Sequence, residues 1–284
     1  MIEIDGGYHV WTKKVGESPV KVLLLHGGPG VDHTYFECFE DFLPPNGIEF
    51  YYYDQLDSTN SDKPGDPRLW TIQRFRDEVE AVRKGLGLEQ FYLYGQSWGG
   101  ILAIEYALAY PQHLKGLIIS NMAASARSYE KHVQALRAAL PEEVIKILDK
   151  YEKSGDYDAP EYQKVVFEQM YMRHVCRLNP WPEPATRTLR HLNEKIYTYI
   201  QGPNEFTITG TMKSWDRWAD LPRISTRTLV MGAKYDEMDP EDLRKMADLM
   251  PHAHAWISDK GSHFTMYDDQ LPYFIELLTF LKPA

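Results

Sequence analysis

Residues 91–110 read FYLYGQSWGGILAIEYALAY and carry the clearest pattern in the chain. The apolar run FYLY at 91–94 predicts a buried strand, and residues from about 98 to 110 predict a helix that stops near Pro111. Between them, GQSWG at 95–99 fits the pattern G-x-S-x-G. A serine between such a strand and helix sits on a tight turn with its hydroxyl exposed, and the small residues around it let the two elements approach closely. We therefore predict that Ser97 is a nucleophile.

Strands and helices alternate on both sides of this stretch. Continuous apolar runs at 20–25 (VKVLLL) and 115–120 (KGLIIS) predict strands buried on both faces. Apolar residues at three- and four-residue steps between 72 and 86 predict an amphipathic helix. Further strands are predicted at 227–232 and 254–258. Strands that alternate with helices favour a parallel sheet.

The alternation breaks between about residues 122 and 219. This stretch is rich in predicted helix and is interrupted by prolines, including the cluster PWPEP at 180–184. We interpret 122–219 as a helical cap inserted into a core formed by residues 1–121 and 220–284. Together with the serine motif, this organisation predicts an α/β-hydrolase fold, a mostly parallel sheet flanked by helices with an inserted helical cap.

A glycine-rich loop, HGGPG at 26–30, follows an apolar strand and precedes the first helical segment. In an α/β-hydrolase this loop supplies one of the two backbone N–H groups that stabilise the oxyanion. We predict that Gly28 and Trp98 donate these N–H groups and that His26 braces the loop. Alone, the loop also fits a plain glycine turn, and G-x-S-x-G arises by chance in about one chain in ten of this length. The two motifs strengthen one another because each lies at a predicted strand end.

Two residues near the C-terminus complete a candidate triad. Asp236 follows the strand at 227–232, and His263 follows the strand at 254–258. The order serine, aspartate, histidine along the chain is the order in α/β-hydrolases. We predict that His263 is the general base and that Asp236 orients it. Asp239 is the competing acid, although it could instead cap the helix that starts near Pro240.

The composition restricts the partners. The chain has 31 basic and 41 acidic residues, a formal charge of −10, which argues against nucleic acid or an anionic membrane and favours a cationic ligand. Its two cysteines, Cys38 and Cys176, have no metal-ligand spacing, so we expect neither a disulfide nor a metal site. The first residues lack a basic-then-apolar signal region. We expect a soluble, cytoplasmic protein that needs no cofactor.

The chain resembles the proline iminopeptidase family of α/β-hydrolases, particularly members similar to the tricorn-interacting aminopeptidase. The resemblance covers nearly the whole length and rests on these segments: HGGPG at 26–30, DQ at 54–55, GQSWGG at 95–100, GPNEFTITG at 202–210 and YDEMDP at 235–240. It implies that Glu205 and Glu237 hold the free α-amino group of a substrate. Without the resemblance, both glutamates would be interpreted as solvated surface charges.

One loop departs from the family pattern. The family usually has glycines in DQ-x-G-x-G-x-S, whereas this chain has Asp57 and Thr59 in their places. If those glycines served positive φ angles, we expect the loop to take another path, since threonine tolerates such angles poorly. Because the loop borders the site, this departure weakens the expectation of a strict preference for proline.

These observations predict an aminopeptidase that releases an N-terminal residue, proline or another, often apolar, from short peptides, amino-acid amides or arylamides. Its substrate would carry a free α-amine, and the cap would close one end of the pocket. An esterase, lactonase or amidase acting on a non-peptide acyl compound is the alternative enzyme. A receptor that retains the fold without turnover is the alternative from another class.

Overall fold

One eight-stranded sheet organises the computed structural model, which describes residues 1–282. In spatial order the strands are β1-β2-β4-β3-β5-β6-β7-β8; β1, β2 and β4 pair antiparallel, and all other neighbours pair parallel. This confirms the predicted fold class. The strands are β1 Ile2–Glu3, β2 His9–Val15, β3 Lys21–Leu25, β4 Glu49–Asp54, β5 Phe91–Gln96, β6 Leu114–Ser120, β7 Thr228–Ala233 and β8 Ala253–Ser258.

Helices cover the sheet because its central strands are apolar on both faces. Every residue of β5 and β7 is buried, as continuous hydrophobic runs require in a parallel sheet. Helix α2 packs against β3, β5 and β6, and its residues 98–107 are all buried. The core helices are α1 Ile72–Gly85, α2 Trp98–Ala109, α8 Pro240–Leu249, α9 Thr265–Asp268 and α10 Gln270–Leu281, with a 3₁₀ segment at His33–Asp41.

The chain leaves the sheet at Ser120 and returns to it at Thr228. Within the described part of this excursion, helices account for the regular structure apart from two isolated β-bridges. We use "cap" for residues 122–219; the division of the chain at these bounds stays a prediction, and residues 283–284 of the predicted core lie outside the described residues. The cap helices are α3 Ala126–Ala138, α4 Glu142–Ser154, α5 Pro160–Val166, α6 Glu183–Arg190 and α7 Glu194–Ile200, with a π-helical segment at Phe167–Val175.

Buried polar contacts join the cap to the core beside the HGGPG loop. The Asp32 carboxylate accepts hydrogen bonds from Thr188 Oγ1 at 2.9 Å and from His191 Nδ1 at 2.6 Å. The Asn193 N–H donates to the Gly30 carbonyl at 2.9 Å. Burial raises the pKa of Asp32, but hydrogen bonds from Thr34, His191 and Thr188 lower it to about 2. The loop that precedes the first helical segment is therefore fixed from the cap side.

Candidate active site

The Ser97 turn has the strained geometry that its motif predicts. Ser97 has φ 55° and ψ −126°, in the left-handed range that non-glycine residues seldom adopt, and it lies between β5 and α2. A methyl group on Gly95 would overlap the Gly99 backbone, and one on Gly99 would overlap the Leu25 carbonyl. The two glycines thus permit the close approach of strand and helix. The side chain of Ser97 remains next to a cavity.

The structure brings His263 and Asp236 together at the carboxyl ends of β8 and β7. His263 Nδ1 lies 2.9 Å from Asp236 Oδ1, and both side chains are buried. Asn121 Nδ2 donates to Asp236 Oδ2 at 2.6 Å. Asp239 instead accepts from the Glu241 N–H at 2.9 Å and caps α8. The geometry favours Asp236 over Asp239 as the partner of His263.

Ser97 and His263 line the same cavity. Within residues 1–282, no hydrogen bond joins the Ser97 hydroxyl to the His263 ring. Catalytic hydrogen bonds in unliganded enzymes are often long and tighten when substrate binds, so this arrangement is compatible with the predicted pair.

The loop that carries His263 is attached to the cap as well as to the core. The His263 N–H donates to the His174 carbonyl at 2.9 Å, and the Phe264 N–H donates to the Val175 carbonyl at 2.7 Å. Ser262 Oγ donates to the same Val175 carbonyl at 3.0 Å. The position of His263 therefore depends on the end of the π-helical segment in the cap.

The structure places both predicted oxyanion donors next to Ser97. Within residues 1–282, the N–H groups of Gly28 and Trp98 have no protein acceptor. Both residues and Ser97 line one small cavity. His26 accepts from the Gln55 N–H at 3.0 Å, and Gln55 Oε1 accepts from the Trp98 indole at 2.8 Å. Through these contacts Gln55 connects the HGGPG loop to the Trp98 side chain.

Glu205 and Glu237 converge next to the serine and the histidine. Glu205 is partly buried and lines both cavities, whereas the Glu237 side chain has no exposure. The Tyr129 hydroxyl lies between the two carboxyl groups, 3.1 Å from Glu205 Oε2 and 3.3 Å from Glu237 Oε1, and it also contacts the Glu205 carbonyl. Tyr197 donates to Glu205 Oε1 at 2.6 Å. The two glutamates are part of a buried polar cluster and are not solvated surface charges.

Burial and mutual charge shift the pKa values in this cluster. Burial raises the pKa of Glu205 and of Glu237, and a positive charge on His263 acts against burial at both glutamates. The charges of Glu205 and Asp236 add to the effect of burial at Glu237, so its pKa lies well above the ordinary value. For His263, burial lowers the pKa, but the charges of Glu237 and Asp236 outweigh burial and raise it to about 9. An empty site with these groups therefore favours a protonated His263 at neutral pH.

Two cavities meet at Ser97. The larger, about 500 Å³, extends from Ser97 and His263 between the cap helices. The smaller, about 10 Å³, has room for about one water molecule. Its walls are mostly apolar and include Trp98, Ile101, Met122, Met212 and Met238. Ser97 therefore lies between a large cavity and a small, mostly apolar one.

The loop that differs from the family pattern has a residue with positive φ where the family has one of its glycines. Asp57 has φ 68°, so the expectation of another path is wrong at this position. Its carboxylate accepts from the Trp70 indole at 2.7 Å and from the Gly65 N–H at 2.9 Å. Aspartate tolerates this conformation better than most residues, and these bonds stabilise it. Thr59 is not among the residues with positive φ.

Three residues of the site were missed by sequence reasoning. Asn121 follows β6 at its carboxyl end, a position that could have suggested a contact with the site. Tyr129 and Tyr197 lie within cap helices, where nothing in the spacing distinguishes them from core tyrosines. Only the fold places their hydroxyls on the two glutamates.

The described residues include no candidate metal site. Among residues 1–282, no group of three histidine, cysteine, aspartate or glutamate side chains could bind a metal ion. Cys38 and Cys176 are both buried as free thiols. In the same range, no helix has the length and apolar character needed to cross a bilayer.

The chain matches known proteins over nearly its whole length. The profile of the α/β hydrolase fold family matches residues 21–270. Proline iminopeptidases of Elizabethkingia meningoseptica and Flavobacterium johnsoniae are each 45% identical, over 98% of this chain and 95% of their own length. The crystal structure of VinJ matches with a TM-score of 0.94 at 32% identity, over 99% of this chain and 97% of VinJ. Proline iminopeptidase from Mycobacterium smegmatis matches with a TM-score of 0.90 at 31% identity, over 99% and 97%. The chain therefore belongs to the proline iminopeptidase family of α/β-hydrolases and is a serine hydrolase of the aminopeptidase type.

Proposed function

We propose that the chain releases the N-terminal residue, proline or another small apolar residue, from short peptides, amino-acid amides or arylamides. The observation that carries this proposal is the pair of carboxyl groups on Glu205 and Glu237, joined through Tyr129 beside Ser97. A substrate ammonium at this pair would gain charge-assisted hydrogen bonds and offset the repulsion between two carboxylates. The proline iminopeptidases similar to this chain support the same class of substrate.

The proposed reaction is acyl transfer through Ser97. The Ser97 hydroxyl attacks the carbonyl carbon while His263 Nε2 takes its proton, and Asp236 keeps the opposite ring nitrogen protonated and oriented. The N–H groups of Gly28 and Trp98 stabilise the oxyanion. His263 then gives the proton to the leaving amine, and water releases the residue from Ser97 by the reverse steps.

Anchoring of the amine also positions the bond to be cut. In an N-terminal residue the ammonium and the scissile carbonyl are attached to one carbon atom, so fixing the first places the second against Ser97. Part of the binding energy should therefore appear in kcat. The mostly apolar small cavity, with Met122, Met212 and Met238, would take the side chain of the first residue. Its size suits a side chain as small as that of alanine, and the flexible methionines would have to move aside to admit proline or a larger residue.

The test compares a free and an N-acetylated arylamide of the same amino acid. Acetylation removes the charge and leaves the carboxyl groups unpaired, which costs on the order of 3 kcal/mol. We expect kcat/KM to fall at least about a hundredfold on acetylation. Glu205→Gln and Glu237→Gln should each weaken cleavage of the free-amine substrate, and both should still cleave p-nitrophenyl acetate. Equal kcat/KM values for the two arylamides would favour an esterase, lactonase or amidase instead.

A further inference from the structure

Glu237 faces the catalytic histidine as well as the proposed amine site. Its Oε1 lies 3.6 Å from His263 Nε2 and 3.3 Å from the Tyr129 hydroxyl. Its Oε2 is buried and has no hydrogen-bond partner within the described residues. A buried carboxylate oxygen without a partner is costly, so the position suits a ligand that brings a donor.

The atom that Glu237 approaches is the one that must act as base. His263 Nδ1 is held by Asp236, so Nε2 is left to accept the Ser97 proton in the proposed reaction. An imidazolium whose Nε2–H points to Glu237 has no lone pair for that proton. In that state the base would be paired with the Glu237 carboxylate and could not accept the Ser97 proton.

The charges around His263 favour a proton on its ring when the site is empty. Three carboxyl groups act on the ring, those of Asp236, Glu237 and Glu205. Among residues 1–282, no lysine or arginine forms an ion pair with any of the three. The polar side chains around the two glutamates are neutral. Tyr129 and Tyr197 contact the carboxyl groups, Tyr171 accepts from the Glu205 N–H, and Gln201 donates to the Tyr129 hydroxyl. His174 turns its Nδ1 to the Tyr235 carbonyl, and burial lowers its pKa. The imidazolium of His263 is the one cation that these described groups can provide.

We propose that the substrate's own α-ammonium activates the catalytic base by replacing the His263 imidazolium as the partner of Glu237. The inference rests on the proposed function, because it needs a free amine next to the glutamates. The ammonium brings one positive charge into the cluster, and His263 Nε2 releases one proton to solvent. The charge of the cluster is unchanged, and Nε2 gains the lone pair that it needs for Ser97. A peptide without a free amine would meet an enzyme that is largely protonated at the base.

The first test counts the released protons. L-prolinol carries the amine but no scissile carbonyl, so it binds without turnover, and its N-acetyl derivative is the uncharged control. Calorimetric titration of the wild-type protein at pH 7 in two buffers of different ionisation enthalpy gives the number of protons exchanged. We expect about one proton released per prolinol bound, because burial and the neighbouring acids raise the pKa of His263 to about 9 in the empty site.

The second test uses an ester that has no amine. For p-nitrophenyl acetate, kcat/KM reports ionisations of the free enzyme, so its acidic limb should follow His263 near pH 9. Glu237→Gln removes the charge beside Nε2 and should move that limb to lower pH by at least about one unit. Ester cleavage at pH 7 should then rise about tenfold while arylamide cleavage falls. Asp239→Asn changes an acid of the same loop that caps α8 and should leave the limb in place.

The outcomes separate this inference from the proposed function. If prolinol binds no better than its N-acetyl derivative, the aminopeptidase proposal itself fails. If prolinol is preferred, but no proton is released and Glu237→Gln leaves the ester limb unchanged, only the activation of His263 by substrate is overturned. Proton release with an ester limb that moves in Glu237→Gln supports both.

Discussion

Asp236, Glu237 and Asp239 lie within four consecutive positions and occupy three different surroundings. Asp236 accepts hydrogen bonds from His263 and Asn121 in the core, Glu237 faces the Nε2 side of the same histidine, and Asp239 caps α8. Their side chains point apart because the segment turns between β7 and α8. The surroundings of each acid therefore depend on the path of the loop between β7 and α8.

Exchange of each aspartate for asparagine should distinguish the two candidates for the triad. Asp236→Asn keeps the shape but favours the wrong tautomer of His263, so we expect kcat to fall by about 10⁴. Asp239→Asn retains a good helix cap and should change kcat less than about threefold. Steady-state kinetics on one arylamide measure both variants, with circular dichroism as the control for folding. A severe Asp239→Asn and a mild Asp236→Asn would reverse the assignment.

The sequence predicted the residues that carry local patterns and missed those that depend on packing. Ser97 and Gly28 follow from strand-turn-helix motifs, and Asp236 and His263 follow from strand ends, which the fold gathers at one edge. Tyr129 could not be predicted, because a tyrosine on an amphipathic helix has no local sign of which carboxyl group it will contact. Its position depends on how α3 packs against the loop that carries Glu205.

The unit formed by β3, β5 and α2 determines where Ser97 lies. Residues 98–107 of α2 are all buried, so this part of the helix has little room to move away from the sheet to accommodate a larger residue. Gly99 contacts the end of β3, and Gly95 contacts the first turn of α2. The precision of the serine turn depends on these two backbone contacts.

Gly99→Ala should disrupt this unit far more than an alanine at another helical glycine. The new methyl group would overlap the Leu25 carbonyl, which is backbone and cannot rotate away, so we expect a loss of several kcal/mol in the free energy of unfolding or no folded protein. At Gly85 the methyl group would meet only the Ile2 side chain of a terminal strand. Gly85→Ala should change the free energy of unfolding by less than about 1 kcal/mol. Urea denaturation compares them; similar losses would contradict this account.

The elements of the core followed from periodicity, whereas three features of the structure did not. The predicted strand at 91–94 and helix at 72–86 agree with β5 and α1 to within two residues. The strand β1 is only two residues long, too short for any alternation to be visible. The π-helical segment depends on contacts within the cap, since no helix propensity distinguishes it from an α-helix. Asp57 adopted a glycine-like conformation because hydrogen bonds from Trp70 and Gly65, distant in sequence, stabilise it.

The cap and the core are joined around the site through charged groups. Asp32 contacts Thr188 and His191 of the cap, and Glu105 of α2 accepts from Arg217 Nε at 2.6 Å. The Arg217 contact is partly exposed, whereas Asp32 is fully buried. The contact at Asp32 should therefore contribute more to stability, because solvent screens it less.

Asp32→Asn should lower the stability of the protein in a pH-dependent way. The folded pKa of Asp32, about 2, is below the usual value of about 3.9, so its contribution is present above pH 4 and is lost as the pH falls towards 2. We expect the variant to lose about 2 kcal/mol of unfolding free energy at pH 7 and the difference to shrink below pH 4. Urea denaturation over this pH range tests it, with Asp41→Asn, at an exposed position, as the control. A difference that is independent of pH would contradict an ionic role.

The backbone bonds from His263 and Phe264 to His174 and Val175 make the histidine loop a joint between cap and core. Because these are backbone hydrogen bonds, a displacement of the cap at Val175 would be passed directly to the loop that carries His263. In the proposed reaction, the alignment of the base therefore depends on the cap as well as on the core.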